Sequence, residues 1–139
     1  MSVLMCPVCR QALNLVANSW QCEKGHHYDV AKQGYVNLHV VQHKHSKTPG
    51  DTPESVLARR EFLQAGFYQP LQQVMVELLQ QLKPKAVLDI GCGEGYYTHA
   101  MQPWTKHCVG VDIAKTAVQR AAKLNSRVVW VVGTGAILP

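Results

Sequence analysis

The sequence predicts an α/β protein in two parts: a metal-stapled β ribbon, then the first three strands of a parallel sheet. Three observations carry this reading. Cys6-x2-Cys9 and Cys22-x3-His26 place zinc-ligand residue types at metal-site spacing near the N-terminus. From Ala86 onward, short apolar runs alternate with helical patterns, the order that builds a parallel sheet through right-handed crossovers. The first run leads into its helix through a glycine-rich turn, Gly91-Cys92-Gly93-Glu94-Gly95.

Zn2+ takes thiolates and imidazole tetrahedrally, and the tight turn Cys6-Pro7-Val8-Cys9 lets one loop give two sulfurs to one ion. The second knuckle supplies Cys22 and a histidine. His26 and His27 are adjacent and either can reach the ion, but Gly25 frees the backbone to turn His26 inward. Three thiolates and one imidazole close the coordination shell, so the zinc is structural and offers no open position to water or substrate. A ribbon of about 35 residues buries too little apolar surface to fold alone, which makes metal binding part of its folding free energy.

A length of 139 residues fits a small zinc unit joined to part of a larger domain. Lys and Arg number 14 against 9 acidic residues, for a formal charge of +5 that favours a polyanionic partner. The basic residues are spread evenly, with one local concentration at His43-Lys44-His45-Ser46-Lys47. No apolar stretch precedes the first knuckle and no run approaches membrane-spanning length, so a cytoplasmic location is expected, where metal-bound cysteines stay reduced. Cys92 and Cys108, in a glycine turn and an apolar strand, read as bystanders to the metal.

Residues 1–38 form the expected zinc-binding ribbon, with strand-like pieces at Ser19-Trp20-Gln21 and Tyr35-Val36-Asn37-Leu38. Residues 39–52 read as a basic linker. It ends where Thr52 can cap a helix, Pro53 suits its first position and Glu54 complements its positive end; Gly66 stops that helix after about Ala65. From about Gln69 to Leu82, apolar Leu71, Val74, Met75, Leu78, Leu79 and Leu82 make the stripe of a helix packed on one side, and Lys83-Pro84 terminates it. Within residues 53–139, strands are expected at Ala86–Ile90, Cys108–Asp112 and Arg127–Val132, with helices at Tyr96–Met101 and Ala114–Leu124 between them.

Strand, glycine turn and helix begin a Rossmann-like nucleotide site. A dinucleotide fingerprint needs G-x-G-x-x-G, but here the third glycine is Gly95, one residue early, with Tyr96 in the place it should hold. Asp89-x-Gly91-x-Gly93-x-Gly95 instead resembles the S-adenosylmethionine loop of class I methyltransferases. That ligand has no pyrophosphate, so the turn need only let the backbone approach its methionine and ribose portions. Asp89 is placed to engage the ligand's ammonium, directly or through water. Asp112, at the end of the second strand, is placed to accept from the ribose hydroxyls, and as a bare residue before Ile113-Ala114 it also reads as a helix-capping aspartate.

The Cys-x2-Cys…Cys-x3-His ribbon, Gly34-Tyr35-Val36-Asn37-Leu38, Val41-Gln42-His43-Lys44, Pro49-Gly50-Asp51, Ala58-Arg59-Arg60-x-Phe62-Leu63 with Gly66-x-Tyr68-x-Pro70-Leu71, and Leu88 to Thr98 stand in one order. Together they make the chain resemble the bacterial 23S ribosomal RNA guanine-N1 methyltransferases, which act on guanine 745 or a close neighbour. The resemblance implies Cys6, Cys9, Cys22 and His26 as zinc ligands, and cofactor contacts at Tyr68, Gly93 and Glu94 beside Asp89, Gly91 and Asp112. It implies S-adenosylmethionine as cofactor, 23S rRNA as partner, and a dimer. The family's chains run to about twice this length. The remaining strands, the residues facing the target base and a further cofactor-contacting histidine are therefore expected outside these residues, and the first strand is expected to leave an unpaired edge open to a second copy or a complementing half.

Guanine N1 lies on the Watson–Crick edge, so the implied reaction needs an unpaired or splayed base, with positioning supplying much of the rate. No general base is identifiable in the sequence, so the catalytic residues are unassigned. A second reading is a non-catalytic module, a zinc ribbon with half a cofactor fold, that holds RNA or cofactor without turnover.

Overall fold

The computed structural model describes residues 2–40, 46, 47 and 49–138. The His43–His45 part of the basic linker and Val41–Lys44 lie outside the described residues. β1 (Leu4–Met5), β2 (Ala12–Val16), β3 (Ser19–Gln21) and β4 (His27–Asp29) form an antiparallel sheet in chain order. Its register sets Leu4 opposite Leu13 and Trp20 opposite Tyr28.

The second sheet is parallel and four-stranded, in the order β5-β8-β7-β6. β6 (Ala86–Ile90), β7 (His107–Asp112) and β8 (Val129–Val132) are the three strands that the apolar runs predict. The fourth, β5 (Tyr35–Asn37), comes from the stretch read as ribbon and pairs with β8, Val36 opposite Val131. The ribbon's last strand therefore caps one edge of this sheet. Its side chains fit: Val36 joins the core on one face and Tyr35 the core on the other.

Helices alternate with these strands. α1 (Pro53–Gln64) is capped by Thr52, whose hydroxyl accepts from Ser55 N, and Gly66 follows it at φ +89°. α2 (Gln69–Leu82) ends at Lys83 in the left-handed region, with Pro84 next. α3 (Tyr96–Met101) runs into a 3-10 turn at Gln102–Trp104, where Pro103 removes a backbone donor, and α4 (Lys115–Leu124) joins β7 to β8.

β7 and β8 are largely buried on both faces, as near-continuous apolar strands require, whereas β6 at the edge keeps Leu88 and Ile90 exposed. Val109, Val111 and Val131 pack with Leu4, Leu13 and Cys6, so the ribbon covers one face and shares its core. Cys108, Trp130 and Val132 pack with Val118, Ala121 and Ala122 of α4 on the other. At about 25 cal/mol per Å2, burying one such valine or leucine side chain contributes about 1.5–3 kcal/mol, so the shared core ties the two parts together.

One expectation needs correction. The stripe on α2 forms a helix with the predicted bounds, yet no residue of α2 is buried, and Leu71, Val74, Leu78 and Leu82 remain 46–66% exposed. Periodicity fixes which side of a helix is apolar, but not what covers it. Among the described residues α2 packs on α3 and the 3-10 turn, which shelter Met75 and Leu79 only in part.

Candidate metal centre and ligand cavity

Two turns build the metal centre. In the first, Cys6 N donates to Gln11 O and Arg10 N to Cys6 O, which folds the loop so that Cys6 and Cys9 face the same point. In the second, Cys22 N donates to His26 O, with Gly25 at φ +84°. The donor atoms of Cys6, Cys9, Cys22 and His26 all lie within 4.8 Å of one another. Cys9 and Cys22 sulfurs are 3.6 Å apart, and His26 Nδ1 is 3.6 Å from Cys6 Sγ and 3.4 Å from Cys22 Sγ. Zn–S bonds of about 2.3 Å at tetrahedral angles separate neighbouring sulfurs by about 3.8 Å, so the donor set fits Zn2+. His27 is exposed and its ring faces Gly25 O, which leaves His26 as the histidine in the cluster.

Tyr28 Oη stands 3.4 Å from Cys6 Sγ. Burial pushes the Cys6 thiol up, but Tyr28 and the backbone N–H groups of Cys9 and Val8 outweigh it and bring its pKa to about 6. A thiolate at neutral pH is the form that binds metal, and Tyr28 acts on it from outside the ligand shell. Burial raises Cys108 to about 11 and pushes Cys92 further up; both stay as thiols in the core, apart from the metal cluster.

The second site is a cavity of about 370 Å3 at the carboxyl ends of β6 and β7, the place where open α/β sheets bind ligands. Its floor is the glycine turn. Gly91 N and Cys92 N both donate to Val111 O, which clamps the turn to β7. Gly91, Gly93 and Gly95 all take left-handed φ, from +56° to +83°. A Cβ on Gly91 or Gly93 would meet nothing within 4 Å, whereas one on Gly95 would lie 2.6 Å from Trp130 Cη2. Gly95 thus serves the packing of α3 on the sheet, and Gly91 and Gly93 keep the cavity floor free of side chains.

Asp89 and Asp112 both line the cavity. Thr98, fully buried, donates to Asp89 Oδ2 at 2.6 Å. Burial raises the Asp89 pKa, Thr98 opposes this and the nearby Asp112 charge adds to it. Asp112 accepts from Gly93 N through Oδ2 and from Ala114 N through Oδ1, both at 2.8 Å. The bond to Ala114 N closes a local turn and is not a helix cap, because α4 starts at Lys115 with Ala114 at its N-cap and no side-chain cap bond; the same carboxylate also fixes the glycine turn. A carboxylate has about four acceptor positions, so two backbone bonds leave it able to accept from a ligand hydroxyl.

Glu94 lines the cavity with its carboxylate gripped by two arginines. Arg60 of α1 donates through Nε and Nη2 at 2.8–3.0 Å, and Arg120 Nε of α4 lies 2.7 Å from Oε2. No sequence signal gave either arginine a role, because their positions on separate helices say nothing of convergence. Tyr96 and Tyr97 also line the cavity, edge to face at 4.9 Å. Tyr68 is not among the lining residues: it precedes α2, 43% exposed, edge-on to Phe62.

Residues 4–47 match the family model described as "RlmA, N-terminal", and residues 87–139 match one described as a methyltransferase domain. A 23S rRNA (guanine(748)-N(1))-methyltransferase of Streptomyces fradiae is 35% identical over 130 residues, which cover 89% of this chain and 45% of that one. A Micromonospora griseorubida protein named, provisionally, for 23S rRNA guanine-N1 methylation is 33% identical over 146 residues, 89% of this chain and 48% of its own. YxjB of Bacillus subtilis strain 168, named in the same provisional way, is 29% identical over 149 residues, 99% of this chain and 52% of its own. The chain spans about half the length of these curated relatives. The ribbon with its Cys and His cluster implies Zn2+, and the methyltransferase domain implies S-adenosylmethionine.

Proposed function

Because this chain belongs to the family of the 23S rRNA (guanine-N1)-methyltransferases, we propose that it binds S-adenosylmethionine in the cavity at Asp89 and Asp112 and serves methylation of guanine N1 in 23S rRNA, at guanine 745 or a close neighbour. The observation that carries this reading is the glycine floor between two carboxylates, open at the two positions where a ligand would lie closest to the backbone. When bound, S-adenosylmethionine supplies an electrophilic methyl group to guanine N1, whose proton must leave.

In this reading Asp89 takes the ligand's ammonium, held in one rotamer by Thr98. Asp112 accepts from the ribose hydroxyls, and the backbone of Gly91 and Gly93 runs along the methionine and ribose portions. Glu94 and Tyr68 complete the contacts carried over from the family; Tyr68 would have to approach from the α1–α2 junction. None of the described side chains is assigned as general base.

A second cavity of about 360 Å3 adjoins the first through Asp51 and Ala114, and Lys47, Lys115 and His39 are among its lining residues. With the +5 formal charge, this supports a phosphate path from the ribbon and linker towards the cofactor. Among the described residues no helix is long and apolar enough to cross a membrane; the proposed substrate places the work in the cytoplasm.

The second reading, an RNA- or cofactor-holding module without turnover, is favoured by the open side of the fold. Among the described residues β6 has β7 on one side only, and Leu88 and Ile90 are 43% and 53% exposed. That edge would be covered by a second copy or by a complementing C-terminal half. Transfer of labelled methyl from S-adenosylmethionine to unmethylated 23S RNA by these 139 residues, with the product mapped, decides between the readings. Label at guanine N1 is the result expected of the enzyme; RNA retention without label is that of the module.

A further inference from the structure

α1 roofs the cavity but is poorly anchored. Val56, Arg60 and Leu63 line the cavity, yet no residue of the helix is buried, and none of the main element-to-element packings among the described residues involves it. Its two ends have glycines in the left-handed region. Gly50, at φ +91°, presses against Ile113 and Ala114, where an added Cβ would lie 2.9 Å from Ile113 Cγ2. That contact pins the chain just before the helix. Gly66, at φ +89°, is open to within one contact at 3.9 Å and precedes α2.

Between these ends, and among the described residues, the side-chain hydrogen bonds from α1 that reach beyond the helix are those of Arg60 to Glu94. Arg120 holds the same carboxylate from the far wall, so Glu94 bridges roof and wall. The Glu94 side chain is only 15% exposed and that of Arg60 26%, so the pair is sheltered enough to outlast an ordinary surface ion pair. We propose that Arg60, Glu94 and Arg120 form a latch that holds α1 closed as a lid over the cavity, hinged at Gly50 and Gly66. Arg60 and Arg120 are then positioning residues: they set where Glu94 and the roof stand.

What the lid gates rests on the cofactor reading, but the latch itself is testable without it. Hydrogen–deuterium exchange of the zinc-loaded chain reads α1 directly. Arg60→Gln is expected to speed exchange over residues 56–64 about tenfold, and raised salt to speed it in the native chain but not in the variant. Exchange in β7 and β8 should stay unchanged. Glu94→Gln should act alike, and Arg60→Lys should restore part of the protection. Unchanged α1 exchange in Arg60→Gln, or loosening of β7 and β8 in step with α1, would overturn the latch. Added S-adenosylhomocysteine is expected to slow α1 exchange in the native chain. If it has no effect while Arg60→Gln still frees α1, the latch stands and the cofactor reading fails.

Discussion

Replacing Cys6 with serine is expected to abolish zinc binding and to unfold the ribbon, together with the edge strand that the ribbon gives to the parallel sheet. Cys6 is fully buried and sits in one core cluster with Leu4, Leu13, Val36, Val109 and Val111. Losing one thiolate opens the closed shell, and the apparent binding free energy of such sites, about 10–16 kcal/mol, is folding free energy for a segment this small. Because Val36 and Val109 belong to that cluster, the damage spreads to β5 and the covered face of β7. Zinc content by mass spectrometry and the thermal unfolding midpoint check this. A Cys108→Ser change, outside the cluster, should leave zinc stoichiometry intact.

Gly110→Val should be nearly as damaging, for a reason of packing alone. Gly110 lies opposite Trp130 in the register of β7 and β8, and an added Cβ would stand 2.6 Å from Trp130 Cζ3 and 2.8 Å from Cε3. The indole cannot swing away: it is 1% exposed, donates from Nε1 to Asn125 O at 2.7 Å, and meets the His99 ring edge to face. Overpacking a core of this kind costs about 3 kcal/mol. Denaturant unfolding followed by tryptophan fluorescence should show that loss, with zinc content unchanged.

Both results depend on features that differ in how legible they are in sequence. The metal cluster was plain, because ligand chemistry demands fixed residue types at short separations and both knuckles are local turns. The bounds of α2 and α3 were equally plain, set by Lys83-Pro84 and by Gly95 and Pro103. The partner of Tyr35–Asn37 was not, since a short strand's pairing depends on which edge the fold leaves open, here β8. The packing of α2 departs from its sequence pattern for a related reason: its stripe faces a side of the molecule where nothing among the described residues completes the cover.

Within the cavity, Asp89, Gly91, Gly93 and Asp112 were legible because all lie at the carboxyl ends of adjacent strands, where the topology forces convergence. The arginines on Glu94 come from helices 60 positions apart in the chain, and no local pattern announces such a meeting. Tyr68 illustrates the reverse: a position carried over from a family whose side chain here lies off the cavity.

Calorimetric titration of S-adenosylmethionine into the zinc-loaded chain and its Gly93→Phe variant is the direct test of whether the glycine floor holds that ligand. A Cβ at Gly93 meets no protein atom within 4 Å, so the fold should survive at a backbone cost of about 1–2 kcal/mol, while the ring beyond it enters the space the ligand needs. Saturable binding by the native chain, weakened at least about 100-fold in the variant with zinc content unchanged, is the predicted result. Equal affinity in the two proteins would contradict the assignment of the loop.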